Sequence, residues 1–204
     1  MEMLGIPEKM YRWLGYGDIH SPLWFIGIEP GGDLKGYEKI NELDDNPLGN
    51  NLYCLDPNLP SNSKSTKVWD NCKYIAEKVG INHYFLSNMS PIPHSSLQVN
   101  QQADLEKLES YQNLLYLAYQ AQKTKPIVIF HGKGVRGSRG FYKYKFHEKF
   151  NLGKASEILK IKNSTDTIHK FGDTKIILCR NLSSRASNAV KDAVCEIVSV
   201  CYKT

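Results

Sequence analysis

No stretch of this 204-residue sequence approaches the roughly 18 consecutive apolar residues that cross a membrane. Its beginning lacks the basic-then-apolar layout of a secretory signal, so a soluble, cytoplasmic protein without a membrane partner is expected. Cysteine is sparse: Cys54, Cys72, Cys179, Cys195 and Cys201 are odd in number, and no two stand as Cys-x-x-Cys. That pattern supports neither a disulfide framework nor a zinc or iron–sulfur site, so no metal is expected and most thiols read as small core residues. The phosphate-loop order Gly-x-x-x-x-Gly-Lys-Ser/Thr is missing too, although Gly132, Gly134, Gly137 and Gly140 cluster around Lys133. An NTPase is thereby disfavoured. Internal repeats, low-complexity tracts and linkers are absent. With 41% hydrophobic residues, the chain suits one compact domain over residues 1–204, read as a monomer. The net charge of +5 permits a polyanionic partner without proving one.

What is present is an alternation of short apolar runs and amphipathic stretches. Residues 2–15 suit a helix carrying Leu4, Met10, Trp13 and Leu14. A first strand is expected over 22–28, then a polar loop over 29–64 containing Pro30, Pro47, Pro57 and Pro60. Loops this long inside a compact domain are usually functional or disordered. A helix over 65–79 places Val68, Cys72, Ile75, Ala76 and Val79 on one face. Further strands are expected over 83–88, 126–131 and 174–179, with a hairpin over 154–171. A helix over 103–122 should bury Leu105, Leu108, Leu115 and Ala118. In the last helix, about 184–202, Ala186, Ala189, Val190, Ala193, Val194, Ile197, Val198 and Cys201 keep i, i+3, i+4 spacing, and Ser183 or Ser184 can cap it. Strands separated by helices imply an α/β fold with a central, mainly parallel sheet flanked by helices.

Parallel strands end at one edge, and these ends are polar. The run Trp24-Phe25-Ile26-Gly27-Ile28 breaks into Glu29-Pro30-Gly31-Gly32-Asp33, the next strand ends in Asn88, another in His131-Gly132-Lys133, and the last in Arg180-Asn181-Leu182-Ser183-Ser184-Arg185. Open α/β sheets bind ligands at this edge. Each residue also has an ordinary reading: Glu29 as a solvated turn residue, Asn88 as a turn former, Asn181 and the serines as helix caps, Arg185 as a surface cation.

These segments resemble motifs of the uracil-DNA glycosylase superfamily, most closely its mismatch-specific thymine/uracil glycosylases. Gly27-Ile28-Glu29-Pro30-Gly31 is similar to that group's Gly-Ile-Asn-Pro-Gly, which carries the water-activating residue. Phe85-Leu86-Ser87-Asn88-Met89 resembles the segment whose Asn reads the pyrimidine edge. Ile129-Phe130-His131-Gly132-Lys133 is similar to Val-Phe-Asn-Gly-Lys, and Asn181-Leu182-Ser183-Ser184-Arg185 falls where the family has an Asn-Pro-Ser, His-Pro-Ser or Met-Pro-Ser motif and its DNA-inserting loop. The matches keep the family's order over about residues 22–190. Two positions depart: Glu29 stands for Asn, as an acid does in other branches, and Leu182 stands for Pro.

The resemblance implies a uracil-DNA glycosylase-like domain that hydrolyses the glycosidic bond of a base flipped from duplex DNA, without cofactor. Residue chemistry points the same way. Glu29 can stabilise a cationic sugar and activate water, Asn88 can read the base, and Asn181 can brace the departing base anion. Uracil-specific relatives place a bulky aromatic soon after the first motif. Here Gly31 and Gly32 follow, leaving room at carbon five for thymine or larger 5-modified pyrimidines, with Tyr37 a candidate stacking wall. DNA contact is assigned to Lys133, Arg136, Arg139, Ser183, Ser184 and Arg185. The first three begin a run of six cations up to Lys149, with Glu148 its one acid and Phe141, Tyr142 and Tyr144 interleaved. A solvated basic helix would look similar. Repair and defence against modified foreign DNA would share this site, while a nucleoside or nucleotide hydrolase and a catalytically silent nucleic-acid-binding module are the alternatives.

Overall fold

A computed structural model of the protein describes residues 14–28, 66–91, 102–132, 141–142, 145–162, 164–180, 182 and 186–203. Among the described residues seven strands form one sheet: β1 (Tyr16–Gly17), β2 (Leu23–Gly27), β3 (Phe85–Asn88), β4 (Ile127–His131), β5 (Glu157–Lys160), β6 (Thr167–Lys170) and β7 (Ile176–Cys179). The described helices are α1 (Thr66–Lys78), α2 (Gln102–Gln120), α3 (Phe146–Lys149) and α4 (Asn188–Lys203). Spatial order across the sheet is β1-β3-β2-β4-β7-β6-β5. None of the described helices is long and apolar enough to cross a membrane.

The fold is α/β, as the alternation of elements implied, but the sheet is mixed rather than mainly parallel. Its four central strands, β3-β2-β4-β7, pair in parallel. Strand β1 joins β3, β6 joins β7, and β5 joins β6, each in antiparallel fashion. Connection length explains the difference. The expected hairpin forms β5 and β6, and residues 171–175 are too short a link from β6 to β7 for a parallel crossover, which needs a dozen or more residues.

The continuous apolar runs of β2, β4 and β7 follow from burial on both faces. On one face Trp24, Ile26, Val128, Phe130 and Leu178 pack with Tyr111, Leu115 and Tyr119 of α2 and with Phe146 of α3. On the other, Leu23, Phe25, Ile127, Ile129, Ile177 and Cys179 pack with Cys72, Ile75 and Ala76 of α1 and Val190, Val194 and Val198 of α4. Helix α1 thus leads from β2 to its neighbour β3 over one face. Helix α2 leads from β3 back to β4, on the far side of β2, over the opposite face. The winding reverses between β2 and β4, which makes their carboxyl ends the topological switch point.

Several expectations need revision. The helix read over 2–15 falls mostly outside the described residues. Its last two, Leu14 and Gly15, are not helical, although Leu14 is buried. Strand β1 was hidden by Gly15 and Gly17, of which Gly17 adopts φ +84 and could hold no side chain against the Tyr84 carbonyl 2.2 Å from an ideal Cβ. The polar loop 29–64 lies outside the described residues. In α2, Leu115 is buried as expected, whereas Leu108 and Ala118 are only partly covered and the side chain of Leu105 lies outside the described residues. Tyr111, Gln112 and Tyr119 complete the buried face, and Leu114 and Leu117 point outward. Helix α4 starts at Asn188, and the serine at its head is Ser187, whose Oγ accepts from the Val190 amide at 3.4 Å. The expected cappers Ser183 and Ser184 precede it by several residues and lie outside the described part.

Candidate functional site

Register brings three side-chain positions together at the switch point. Gly27 ends β2 opposite Asn88 of β3. On its other side Ile26 pairs with Phe130, so Gly27 lies beside His131, which is paired in turn with Cys179 of β7. Alternation along each strand puts this row on the α1/α4 face, the face of Phe25, Ile129 and Ile177. An ideal Cβ built on Gly27 would stand 2.6 Å from Asn88 Oδ1, 3.0 Å from His131 Cε1 and 3.4 Å from His131 Nε2. The two polar side chains therefore crowd the space that glycine leaves open.

The ends of the strands are fastened from both faces. Past β3, the Met89 and Ser90 amides donate to the Gly27 and Ile28 carbonyls at 2.8 and 3.0 Å, carrying the β2–β3 ladder beyond Asn88. From the other side, the Tyr111 hydroxyl donates to the Asn88 carbonyl at 2.9 Å and Gln112 Nε2 to the Met89 carbonyl at 3.0 Å. Burial pushes the Tyr111 phenol up to about 12, partly offset by its bonds to Ser87 and Asn88, so it remains a neutral donor. At the end of β4, Gly132 has φ +134 and an ideal Cβ only 2.1 Å from Ile28 Cγ1. A side chain there would collide with the last described residue before Glu29.

Among the described residues the Asn88 carboxamide makes no hydrogen bond, while its backbone carbonyl accepts from the Tyr111 hydroxyl. The side chain is half-buried. An amide so placed offers two donors and an acceptor to a ligand. His131 is buried, at 4% exposure. In the sequence it stands within the Ile129-Phe130-His131-Gly132-Lys133 segment, with no role implied for it. Its signal was the strand-end position next to glycine.

Cys179 adjoins His131 in register, which raises the question of a cysteine nucleophile. The thiol is fully buried, donates to the Arg180 carbonyl at 3.2 Å, and is pushed by burial from 9.0 up to about 12. Burial thus favours the thiol over the thiolate that a Cys–His nucleophilic pair needs. Cys72 and Cys195 are also buried. Among the described residues no group of three His, Cys, Asp or Glu side chains could hold a metal ion.

Of the sequence-derived site residues, Asn88 is described. Glu29, Gly31, Tyr37, Lys133, Arg136, Arg139, Asn181, Ser183, Ser184 and Arg185 lie outside the described residues. Their described neighbours fix where the chain enters and leaves those segments. Ile28, before Glu29, packs against Gly132. The Gly132 amide donates to the Cys179 carbonyl at 3.1 Å, and the Phe141 amide to the Gly132 carbonyl at 3.3 Å. Gly132 and Phe141 are therefore joined at the carboxyl end of β4. Leu182, flanked by Asn181 and Ser183, is fully buried in the α1/α4 core, and its carbonyl accepts from Asn71 Nδ2 of α1 at 3.0 Å.

The rest of the basic run is less available than its composition suggested. Phe141, one of the aromatics interleaved with the cations, is fully buried against Phe130 and cannot stack on a base. Tyr142 is partly exposed but bonds through its hydroxyl to His169 Nδ1 at 3.2 Å. Lys145 lies 3.8 Å from Glu148, and Lys149 is 3.6 Å from Glu109 and donates to Asn113. No protein-family model and no curated protein matches the chain.

Proposed function

We propose that the chain is a monofunctional DNA glycosylase of the uracil-DNA glycosylase superfamily, acting on a uracil, thymine or 5-modified pyrimidine flipped out of duplex DNA. The observation that carries the proposal is the uncommitted Asn88 carboxamide at the switch point of the sheet, half-buried and pinned through its backbone. Such a group is poised to exchange hydrogen bonds with the edge of a heterocycle. Support comes also from chain order. Glu29 follows Ile28 and Asn181 follows Arg180, each just past the end of a central parallel strand.

In the proposed reaction the flipped base meets Asn88 while Glu29 faces the sugar. The glycosidic bond breaks with its electron pair passing to the ring nitrogen of the base, whose anion Asn181 braces. Water adds to the sugar carbon and gives its proton to Glu29, leaving an abasic site. No metal or organic cofactor takes part. Gly31, with Tyr37 as stacking wall, leaves space for a 5-substituent. Lys133, Arg136 and Arg139, with Ser183, Ser184 and Arg185, hold the DNA backbone and the gap in the stack.

A hydrolase of free nucleosides or nucleotides is the second reading, favoured by the pairing of Lys145 with Glu148 and of Lys149 with Glu109, which shortens the basic track. The deciding experiment is mass-spectrometric detection of free bases. Duplexes carrying uracil, thymine mispairs and modified cytosines would be compared with the matching nucleosides, using wild type and Glu29→Gln. Release from duplex by wild type alone supports the glycosylase. Release from nucleosides only establishes the second reading, and no release from any substrate defeats both.

A further inference from the structure

We propose that His131 is a positioning residue: it determines which end of the Asn88 carboxamide faces the base, and thereby selects pyrimidines with a 4-keto group over those with a 4-amino group. The inference rests on the glycosylase reading above and concerns the specificity of that same site.

A carboxamide has unlike ends, an acceptor oxygen and a donor amino group, and similar shape either way round. Something must choose between them. Asn88 Oδ1 lies 2.6 Å from the Cβ position that Gly27 leaves empty, and the Cε1–Nε2 edge of His131 lies 3.0 and 3.4 Å from the same point. The oxygen and the rim of the imidazole thus both stand over the glycine, from its two neighbouring strands. The nearer atom of that rim is Cε1, whose hydrogen is positively polarised by the two flanking ring nitrogens whichever of them holds the proton. It attracts an amide oxygen and repels an amide NH2.

With the oxygen turned to His131, the amino group turns outward. Outward N–H groups donate to the 4-keto oxygen of uracil or thymine and oppose the 4-amino group of cytosine, itself a donor. A site built around such a bond discriminates strongly, because the wrong partner leaves polar groups unpaired. Rigidity of the chooser matters as much as its charge. His131 is 4% exposed, sits on a central strand paired on both sides, and is followed by Gly132, whose packing on Ile28 fixes the strand end. Gly27 is the other requirement, since a Cβ would fill the space through which oxygen and imidazole approach.

The test compares uracil and cytosine release from otherwise identical duplexes for wild type, His131→Leu, His131→Asn and Gly27→Ala, with thermal melting of each protein. Removing the polar rim lets the amide turn its oxygen outward. His131→Leu should lower the uracil-over-cytosine ratio by roughly 10-fold or more, cytosine release rising as uracil release falls. His131→Asn keeps a donor beside the oxygen and should hold the ratio within about 3-fold of wild type. Gly27→Ala displaces the Asn88 oxygen with His131 intact and should lower the ratio as His131→Leu does, which keeps the test open should His131→Leu not fold. An unchanged ratio in the folded variants, or equal loss of release with both bases, would overturn the inference while leaving the glycosylase in place. Wild type that releases no base defeats the glycosylase reading itself and this inference with it.

Discussion

The phenol of Tyr111 and the backbone carbonyl of Asn88 share a 2.9 Å hydrogen bond that joins α2, on one face of the sheet, to a residue whose side chain serves the other. Tyr111 is 1% exposed, so its donor has no access to bulk water. Tyr111→Phe should lower unfolding stability by about 1–2 kcal/mol in urea titrations, with native secondary structure by circular dichroism retained. A loss near zero would show that the bond is not holding the strand end.

Asn88 itself should behave in the opposite way. Its side chain is half-buried and bonds to none of the described residues, so Asn88→Ala removes little from the folded state. Stability should change by less than about 0.5 kcal/mol. Base release should fall by roughly 100-fold or more, as when one preorganised donor is deleted. Measured together on one preparation, melting and release rate separate a recognition residue from a structural one.

How far the sequence foretold the structure depends on what each signal measured. Buried-strand runs such as Leu23–Gly27 and Ile127–His131 are continuous apolar segments, and they were legible to within a residue. Helix α4 keeps one apolar stripe and was legible too, except for its start, where Ser187 competed with an earlier serine pair. Helix α2 was misjudged on its buried face because Tyr111 and Gln112 are buried for their hydrogen bonds, which a count of aliphatic residues does not register. The antiparallel edges depended on link length and not on residue type. At the site, Asn88 was readable as a polar residue ending an apolar strand. The Gly27–His131 approach was not, because it arises from register between strands far apart in sequence.

Leu182 stands where the motif it resembles usually holds proline, and its environment gives it a structural task. It is fully buried among the residues of α1 and α4, and its carbonyl is tied to Asn71. Leu182→Ala should cost about 2–5 kcal/mol, measured by denaturant unfolding. Leu182→Met, similar in volume, should cost less than about 1.5 kcal/mol. If base release survives in the methionine variant and the alanine variant loses it in proportion to unfolding, the residue anchors the segment and the chemistry belongs to its neighbours.

Alkaline pH should unfold the protein through groups that must stay neutral inside it. Burial pushes Cys179 from 9.0 up to about 12 and Tyr111 from 10.0 up to about 12. Each group holds its proton in the native state over a range where the unfolded chain has already released it. Their contribution is therefore full below the unfolded value and is lost as pH rises toward 12, with a slope of about 1.4 kcal/mol per pH unit for each group. Stability measured in urea should be insensitive to these groups below pH 8 and decline steeply above pH 9, where Cys179 begins to weigh, and more steeply above pH 10, where Tyr111 joins it. Tyr111→Phe removes its share, so the mutant's decline above pH 10 should be shallower than that of wild type even though its stability at neutral pH is lower. Parallel curves for the two proteins across that range would mean that the phenol titrates alike in the folded and unfolded chain.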